Sequence, residues 1–258
     1  MNMTFFKYQG TGNDFVILDN RNENFPKGDS SLIASLCDRH FGIGADGLIL
    51  LENDTDSDFR MVYYNADGNE STMCGNGGRC IVAFAKKLNL FEHKTSFMAI
   101  DGIHQAEIND GIVSLQMIDV YNVKVMEDAI FADTGSPHHI ELVDDLANFP
   151  VFERGKKVRH EVYGKEGSNV NFVEQVNEST FQIRTYERGV ENETLACGTG
   201  VTAAAIAMHN IKKTNNNVVN LLVEGGKLQV SFDVVEGTYK NVILSGPAKF
   251  VFQGSITV

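Results

Sequence analysis

The residues of this 258-residue chain whose types and spacing best suggest chemistry are two cysteines, Cys74 and Cys197. Each is followed by Gly-x-Gly and then by a run of small and apolar residues that predicts a buried helix. A thiol at a helix start meets unpaired backbone N–H groups and the positive end of the helix dipole, and both favour the thiolate. One such thiol suggests a nucleophile, whereas two suggest an acid and a base on opposite faces of one carbon atom.

The plainer interpretation is that both cysteines are small buried residues at tight turns. Because the Cys-Gly-x-Gly-helix context occurs twice, we prefer the chemical interpretation. The other two cysteines, Cys37 and Cys80, fall among apolar residues and are predicted to be packed core thiols. The chain has no Cys-x-x-Cys, which argues against a zinc ribbon or a thioredoxin-like motif.

Composition and charge describe a globular protein rather than a membrane or nucleic-acid-binding protein. None of the apolar runs reaches the roughly 18 to 20 residues of a membrane span. The net charge of −12 argues against nucleic acid, whose phosphates need a basic surface. A length of 258 residues allows one large domain or two of ordinary size. No secretory signal pattern opens the chain, so we expect a cytoplasmic protein with reduced thiols.

In the first half, the pattern predicts strands, an amphipathic helix and the first cysteine-led helix. Strands are predicted at residues 3–9, 14–19, 48–51 and 59–64, and over the alternating stretch 95–117, which turns at 109–111. The amphipathic helix is predicted at 30–40 with Asp29 or Ser30 as its cap, and the cysteine-led helix ends at Leu88. A Gly-x-Gly-x-x-Gly match at 42–47 lies between a helix and a strand, the reverse of a dinucleotide-binding motif, so we predict no nucleotide site.

The second half repeats this plan. Strands are predicted near 129–134 and 138–143, at 169–174 and 180–186, and over 219–232 and 240–257, with a hairpin turn at 224–226. A short basic helix is predicted at 151–160, and the second cysteine-led helix follows Cys197. We place the boundary at 118–122, which gives domains of residues 1–118 and 119–248. The predicted fold class is α+β, with two pseudo-symmetric domains, each a curved, mostly antiparallel sheet around a central helix, and the active site in the cleft between them.

Both cysteine segments, Asn65–Cys80 and Glu187–Gly200, resemble the two signatures of the diaminopimelate epimerases, a family of cofactor-independent amino-acid epimerases. Further matches lie along nearly the whole chain, at Lys7–Phe15, Asp38–Asp46, Gly135–His138 and Asn169–Phe172. The resemblance implies epimerisation of LL-2,6-diaminopimelate to the meso form by two cysteines, in the lysine and peptidoglycan precursor pathway. It also implies that the last strand, residues 249–258, returns to the first domain.

The resemblance assigns functions to individual residues. It implies that Cys74 and Cys197 are the acid and base, with His138 accompanying Cys74 and Glu187 accompanying Cys197. The residues implied to bind substrate are Asn13, Asn65, Gly75, Asn76, Asn169, Glu187, Arg188, Gly198 and Thr199. Backbone N–H groups around Gly75–Asn76 and Gly198–Thr199 are expected to hold the carboxylate of the carbanion. Arg188 is expected to form a paired contact with a carboxylate of the substrate.

The predicted chemistry uses neither a cofactor nor a metal. Many amino-acid racemases use pyridoxal phosphate to stabilise the carbanion, but this sequence offers no convincing lysine or phosphate-cradling motif for it. The expected partner is the small-molecule substrate, without nucleic acid or membrane, and a homodimer is a possible assembly.

Three features depart from the family pattern. Ser136 occupies a position where many relatives have Asn, and Gly47 one where some members have a Gln that touches substrate. The loop from Glu187 to Cys197 is one residue longer than in some members. These differences bear on individual substrate contacts rather than on the reaction.

Three other functions fit parts of the pattern. One is a relative on the same fold: a proline or hydroxyproline racemase, or a phenazine-pathway isomerase, which does without the thiol pair. Another is a redox-sensing or thiol-binding protein in which Cys74 and Cys197 form a regulatory disulfide. A cysteine hydrolase is the third, and it leaves the second Cys-Gly-x-Gly segment unexplained. Asn13, Asn65 and the Glu187–Arg188 pair favour the diaminopimelate epimerases.

Overall fold

The computed structural model describes residues 2–257 and divides into two compact units. The first unit comprises Met1–Leu115 together with Gly246–Val258, and the second comprises Gln116–Ser245. Of the predicted return strand at 249–258, Val258 lies outside the described residues. Within residues 2–257, no helix combines the length and the apolar character that crossing a membrane requires.

The chain contains seventeen strands, four α-helices and one short 3-10 helix within residues 2–257. In chain order they are β1 (Asn2–Gly10), β2 (Asn13–Asp19), α1 (Ser30–Cys37), β3 (Gly47–Glu52), β4 (Phe59–Asn65), α2 (Gly75–Lys87), β5 (Lys94–Ala99), β6 (Gly102–Asn109), β7 (Ile112–Gln116), β8 (Val123–Val125), β9 (Ile130–Asp133), β10 (Pro137–Leu142), a short 3-10 helix (Leu146–Asn148), α3 (Val151–Glu161), β11 (Asn169–Asn177), β12 (Thr180–Glu187), β13 (Asn192–Thr194), α4 (Gly198–Asn210), β14 (Val218–Val223), β15 (Gly226–Val235), β16 (Thr238–Pro247) and β17 (Lys249–Thr257).

The strands of the first unit are ordered β17-β1-β2-β3-β4-β5-β6-β7. The pairs β2–β3 and β4–β5 are parallel, and the other pairs in this series are antiparallel. A parallel pair needs a long crossover connection, and helices α1 and α2 supply the two that this sheet requires. The strand that begins the series comes from the end of the chain.

The second unit repeats this arrangement with strands that are consecutive in sequence. Its order is β8-β9-β10-β11-β12-β14-β15-β16, with β10–β11 and β12–β14 parallel and the other pairs antiparallel. Helices α3 and α4 lie within its two crossover connections, and the short strand β13 pairs with β12. The prediction of an α+β fold with two related, mostly antiparallel domains is therefore confirmed.

The cysteine-led helix of each unit packs at the centre of its own sheet. Helix α2 contacts β1, β2, β3, β4, β6 and β17, whereas α4 contacts β9, β10, β11, β12, β14 and β15. Helix α4 is buried on all sides from Val201 to Met208, as expected of a helix that is apolar all round. The prediction of a buried, cysteine-led helix in each half is confirmed.

Some predicted boundaries were wrong. The helix predicted at 30–40 begins at Ser30 with Asp29 as its cap but ends at Cys37, because the carboxylate of Asp38 accepts from the backbone N–H groups of His40 and Phe41, both at 2.7 Å, and forms a turn instead. The stretch 95–117 turns twice, at 100–101 as well as at 109–111. The three-residue strands β8 and β13 were not predicted, since so short a segment shows no clear alternation.

Candidate functional site

Cys74 lies immediately before helix α2, and its carbonyl accepts the hydrogen bond from Gly78 N at 2.7 Å that opens the helix. Gly75, Asn76 and Gly77 form a first turn that contains no acidic residue. The positive end of the helix dipole is therefore not neutralised by a carboxylate of that turn. A half-buried thiol beside such a turn is in an environment that favours ionisation.

Two amides connect Cys74 to charged groups on either side. The Oδ1 atom of Asn13 lies 3.8 Å from Cys74 Sγ and accepts from Asn76 Nδ2 at 3.3 Å. The Nδ2 atom of Asn13 donates to Asp46 Oδ2 at 2.6 Å, and Asn76 Oδ1 accepts from Arg79 Nη2 at 2.9 Å. Because Asp46 only accepts and Arg79 only donates, both amides have a defined orientation, with the oxygen of Asn13 toward the thiol.

Asp46 belongs to an ion-pair cluster behind Asn13. Arg39 contacts Asp46 at 2.6 Å and Asp14 at 2.7 Å, and Lys7 contacts Asp14 at 2.8 Å. Burial raises the pKa of Asp14, but hydrogen bonds and charges from Arg39 and Lys7 outweigh this effect and lower it to about 2. Asp14 therefore stays ionised at neutral pH, and its ion pairs tie strand β2, which begins at Asn13, to Lys7 and Arg39.

Asn65 ends strand β4 and is exposed. Its carbonyl accepts from Gly68 N at 2.9 Å in a turn, and it lies opposite Gly47 in the β3–β4 register. A Cβ atom built on Gly47 would lie 2.6 Å from both Tyr63 Cε2 and Tyr64 O, so this backbone has no room for a longer side chain at residue 47.

Cys197 occupies the corresponding position before α4, with 8% of its surface exposed. Its Sγ atom lies 3.5 Å from Thr199 Oγ1, and Thr134 Oγ1 donates to the Thr199 carbonyl at 2.9 Å. The first turn of α4 also lacks an acidic residue. Both cysteines therefore lie at helix starts that can accept an anion.

His138 is fully buried in the second unit. Its Nδ1 atom lies 3.1 Å from Asn171 Nδ2, which also donates to the His139 carbonyl at 3.0 Å. Nδ1 is thus the acceptor, and the proton of the neutral ring lies on Nε2, which has no hydrogen-bond partner among the described residues. Burial lowers the pKa of His138 to about 3, so the ring is neutral at physiological pH.

Gly200 leaves the space in which His138 packs against the first turn of α4. A Cβ atom built on Gly200 would lie 2.4 Å from Asn171 Oδ1 and 3.3 Å from both His138 Cε1 and Cys197 Cβ. The glycine therefore lets the imidazole approach the first turn of the helix that Cys197 precedes. The association of His138 with Cys74 stays a prediction.

Asn169, Glu187 and Arg188 lie at neighbouring strand ends in the second unit. The buried Asn169 donates to Ser136 Oγ at 2.9 Å and accepts from Arg188 N at 2.9 Å, so Ser136 serves as a direct acceptor here. Arg188 is exposed and donates to the Glu166 carbonyl at 3.0 Å. Glu187 Oε2 accepts from Thr194 Oγ1 at 2.9 Å.

Three residues that shape these surroundings were missed by sequence reasoning: Asp46, Arg79 and Asn171. Asp46 and Asn171 lie within matched segments, but nothing in a strand or loop pattern shows which amide a side chain will hold. Arg79 did carry a signal, because it is a charged residue within a helix predicted to be buried. No three His, Cys, Asp or Glu side chains in residues 2–257 are grouped as metal ligands.

Comparison with known proteins gives a consistent result. A family model described as diaminopimelate epimerase matches residues 5–126 and 130–251. The diaminopimelate epimerase of Flavobacterium psychrophilum is 59% identical over 256 residues, which cover 98% of this chain and 100% of that protein.

Two solved structures share the fold at low sequence identity. A phenazine biosynthesis protein of the PhzF family from Bacillus anthracis matches with a TM-score of 0.80 at 14% identity, covering 100% of both chains. A hydroxyproline epimerase from Agrobacterium vitis matches with a TM-score of 0.72 at 14% identity, covering 99% of this chain and 92% of that one.

Proposed function

The chain belongs to the diaminopimelate epimerase family, and from this premise we propose that it converts LL-2,6-diaminopimelate to the meso form without a cofactor, as a step toward lysine and peptidoglycan precursors. The observation that carries the proposal is the repeated thiol at a helix start. Cys74 and Cys197 each precede a buried helix whose first turn is rich in glycine and free of acidic residues. Such a turn can hold the carboxylate of an amino acid beside a thiol.

Inversion at one carbon needs a base on one face and an acid on the other. In the proposed reaction, the thiolate of one cysteine takes the Cα proton, and the electron pair of the broken C–H bond remains on the substrate. The other cysteine then gives its thiol proton to the opposite face of the same carbon. The reaction leaves the two cysteines with exchanged protonation states, so the two thiols titrate as a pair.

The carbanion needs stabilisation, because the Cα–H of an amino acid is a very weak acid. We assign this role to the backbone N–H groups around Gly75–Asn76 and Gly198–Thr199, which face the carboxylate as charge develops on it. The proposal gives Asn13, Asn65, Asn169 and Arg188 the task of holding the substrate's other polar groups. His138 and Glu187 are the proposed polar partners of the cysteines. Because His138 is neutral, it would act as an N–H donor.

We place the reaction in the cytoplasm, where thiols stay reduced. A homodimer is the proposed assembly, and it is supported by the exposed apolar side chains Phe250, Val251 and Phe252 on strand β17. Sedimentation velocity tests this assembly, since a monomer at micromolar concentration would contradict it.

The decisive experiment is incubation of the purified protein with LL-diaminopimelate in heavy water without added cofactor. We expect the meso isomer, with deuterium at the inverted centre, because the proton is delivered from a thiol that exchanges with solvent. Chiral chromatography with mass spectrometry measures both isomer and label. Absence of the meso product under these conditions would contradict the proposed function.

A substrate comparison tests the role of Arg188. Wild type should prefer diaminopimelate strongly over proline and over amino acids that lack the second centre, because remote contacts position the reacting carbon. Arg188→Ala should lose most of this preference, and Arg188→Lys should remain impaired because it keeps the charge but loses the paired donors. Equal turnover of proline by the wild type would favour a racemase instead.

A further inference from the structure

We propose that Arg79 is a positioning residue for the first thiol: its buried guanidinium is the fixed positive charge that stabilises the thiolate of Cys74. This inference rests on the proposed function for its role in turnover, but its central test does not require substrate. Arg79 is 0% exposed and lies five residues after Cys74, in the early part of α2. It is the largest fully buried side chain of the described residues.

Among the described residues, the hydrogen bonds of Arg79 go to neutral oxygens. Its Nη1 atom donates to the Gly75 carbonyl at 3.1 Å, and its Nη2 atom donates to Asn76 Oδ1 at 2.9 Å and Thr11 Oγ1 at 3.2 Å. Nε has no partner within residues 2–257. No carboxylate forms an ion pair with it in this part of the chain, although a buried cation normally requires an anion.

The ionisable groups that act on this guanidinium are two thiols, Cys80 and Cys74. Burial raises the pKa of Cys80 to about 12, so that thiol stays neutral. Burial also lowers the pKa of Arg79, but arginine starts far above neutrality and remains charged. The half-buried Cys74 is therefore the group left to supply the negative charge that this cation lacks.

The remaining charged and titratable groups near this end of α2 do not offset Arg79. Strands β1 and β2 and the loop before β3 carry Lys7, Asp14, Arg39 and Asp46, two cations and two carboxylates joined in ion pairs. Burial raises the pKa of Tyr8 to about 12, which keeps it neutral. Asp101 accepts from the Met73 backbone N–H, but its carboxylate is also bonded to His104 at 3.1 Å. Arg79 is thus the unpaired charge of this region.

The contact between Cys74 and Asn13 opposes this effect. The oxygen of Asn13 lies 3.8 Å from Cys74 Sγ, and an oxygen accepts from a thiol but repels a thiolate. A long contact between neutral groups is weaker than a full charge in a dry interior. The guanidinium therefore has the larger effect on the equilibrium between thiol and thiolate. The amide of Asn13 stabilises the thiol form, to which Cys74 returns when it takes up a proton.

The second unit provides a natural comparison. Thr202 lies five residues after Cys197 and donates through Oγ1 to the Gly198 carbonyl at 3.0 Å, the same bond that Arg79 makes to Gly75. The two residues thus occupy equivalent positions, one charged and one neutral. Cys197 has no buried cation at that position of its helix, so we expect its thiol to ionise at higher pH than Cys74.

The experiment measures alkylation by iodoacetamide between pH 5 and 10 on the empty protein, with peptide mass spectrometry to score each cysteine separately. In wild type, Cys74 should show a lower midpoint than Cys197. Arg79→Met, which keeps the volume but removes the charge, should raise the Cys74 midpoint by about one pH unit, roughly a tenfold loss of thiolate below the midpoint. Arg79→Lys keeps the charge, so its Cys74 midpoint should stay close to that of wild type.

Cys197 is the internal control, because a general loosening of the protein would move both midpoints. An unchanged Cys74 midpoint in Arg79→Met, or equal shifts at both cysteines, overturns the proposal. Arg79→Gln, which retains hydrogen-bond donors, replaces Met if that variant does not fold. The wild-type comparison needs no variant, and a Cys74 midpoint at or above that of Cys197 also overturns the proposal.

The pH dependence of turnover links the inference to the reaction. If the protein epimerises diaminopimelate, the acidic limb of kcat/KM should move to higher pH in Arg79→Met and return toward wild type in Arg79→Lys. A protein that shows the alkylation shift but forms no meso product would retain the role of Arg79 and lose the proposed function. A protein that forms the meso product but shows no alkylation shift would retain the proposed function and lose the role of Arg79.

Discussion

The two cysteine-led helices, α2 and α4, occupy equivalent places in the two repeated sheets but differ in what surrounds their first turns. Near Cys74 lie the buried cation Arg79 and an amide chain that ends at Asp46. Beside the first turn of α4 lie the hydroxyl of Thr199 and the buried, neutral imidazole of His138, and the charge of Arg188 acts on that imidazole. The repeat therefore supplies two thiol positions of the same geometry, and individual side chains give them different electrostatics.

This difference suits a reaction in which one thiol must start ionised and the other protonated. If the two helix starts had identical surroundings, neither protonation state of the pair would be preferred. A charged residue at one of two equivalent positions removes that degeneracy without altering the fold. Removing a thiol, and filling the space beside a helix start, test whether the two helix starts are equivalent. The pH dependence of stability tests whether His138 is neutral.

The largest effect is expected from removing either thiol. Cys74→Ala and Cys197→Ala should each lower epimerisation in both directions by about 10² to 10⁴, because in the proposed mechanism each direction uses one cysteine as base and the other as acid. Chiral analysis of product formed from LL and from meso substrate measures both directions. Cys80→Ala is the matched control, since that buried thiol has a pKa of about 12 and should leave turnover close to wild type.

Near-normal turnover in both directions by either variant would show that the two cysteines are not paired in function. A single-base mechanism would then replace the proposal, and the similarity of the two helix starts would be structural alone.

The order of strands and helices could be predicted because alternating and helical patterns are local. The two cysteine-led helices, the strands predicted at 3–9 and 14–19 and the helix near Val151–Glu161 were all predicted from their own residues. The return of the last strand to the first unit was expected only from family resemblance, since β17 pairs with β1 across almost the whole chain. No local pattern records a partner so distant in sequence.

The site was predictable to the level of residue type but not of environment. The sequence placed Cys74 and Cys197 at helix starts, which the structure confirms. It gave no indication that His138 would be fully buried and neutral, because burial depends on how Asn171 and Gly200 pack around it. Arg79 shows the same limit, since its lack of an acidic partner emerges only when all its neighbours are known.

A smaller effect is expected from filling the space beside each helix start. Gly200→Ala should lower the free energy of unfolding by about 1 to 3 kcal/mol, because its Cβ would lie 2.4 Å from Asn171 Oδ1. Gly77→Ala in α2 should cost less, since its nearest contacts are side-chain ends of Ile49 and Met61 at 3.3 Å. Urea unfolding measures both values.

Gly28→Ala is the matched control, because nothing lies within 4 Å of a Cβ built there. We expect Gly200→Ala to be the most destabilising of the three substitutions. An equal cost at Gly200 and Gly28 would mean that the packing of His138 and Asn171 against α4 is not as tight as the distances indicate.

The smallest effect is a pH dependence of stability that arises from His138. Its pKa of about 3 in the folded protein lies far below the roughly 6.5 of an unfolded chain, so below pH 6.5 the unfolded state binds a proton that the folded state does not. The free energy of unfolding should therefore fall as the pH decreases from 7 to 5.5, with about 1 kcal/mol of the loss due to this residue. His138→Gln has no titrating ring, and its amide oxygen can still accept from Asn171, so its loss over the same range should be smaller by that amount. Urea unfolding at the two pH values, without substrate, measures the difference between the variants. If both lose the same free energy, His138 is not held neutral by burial, and the contrast between a buried cation near Cys74 and a neutral imidazole near Cys197 fails at that residue.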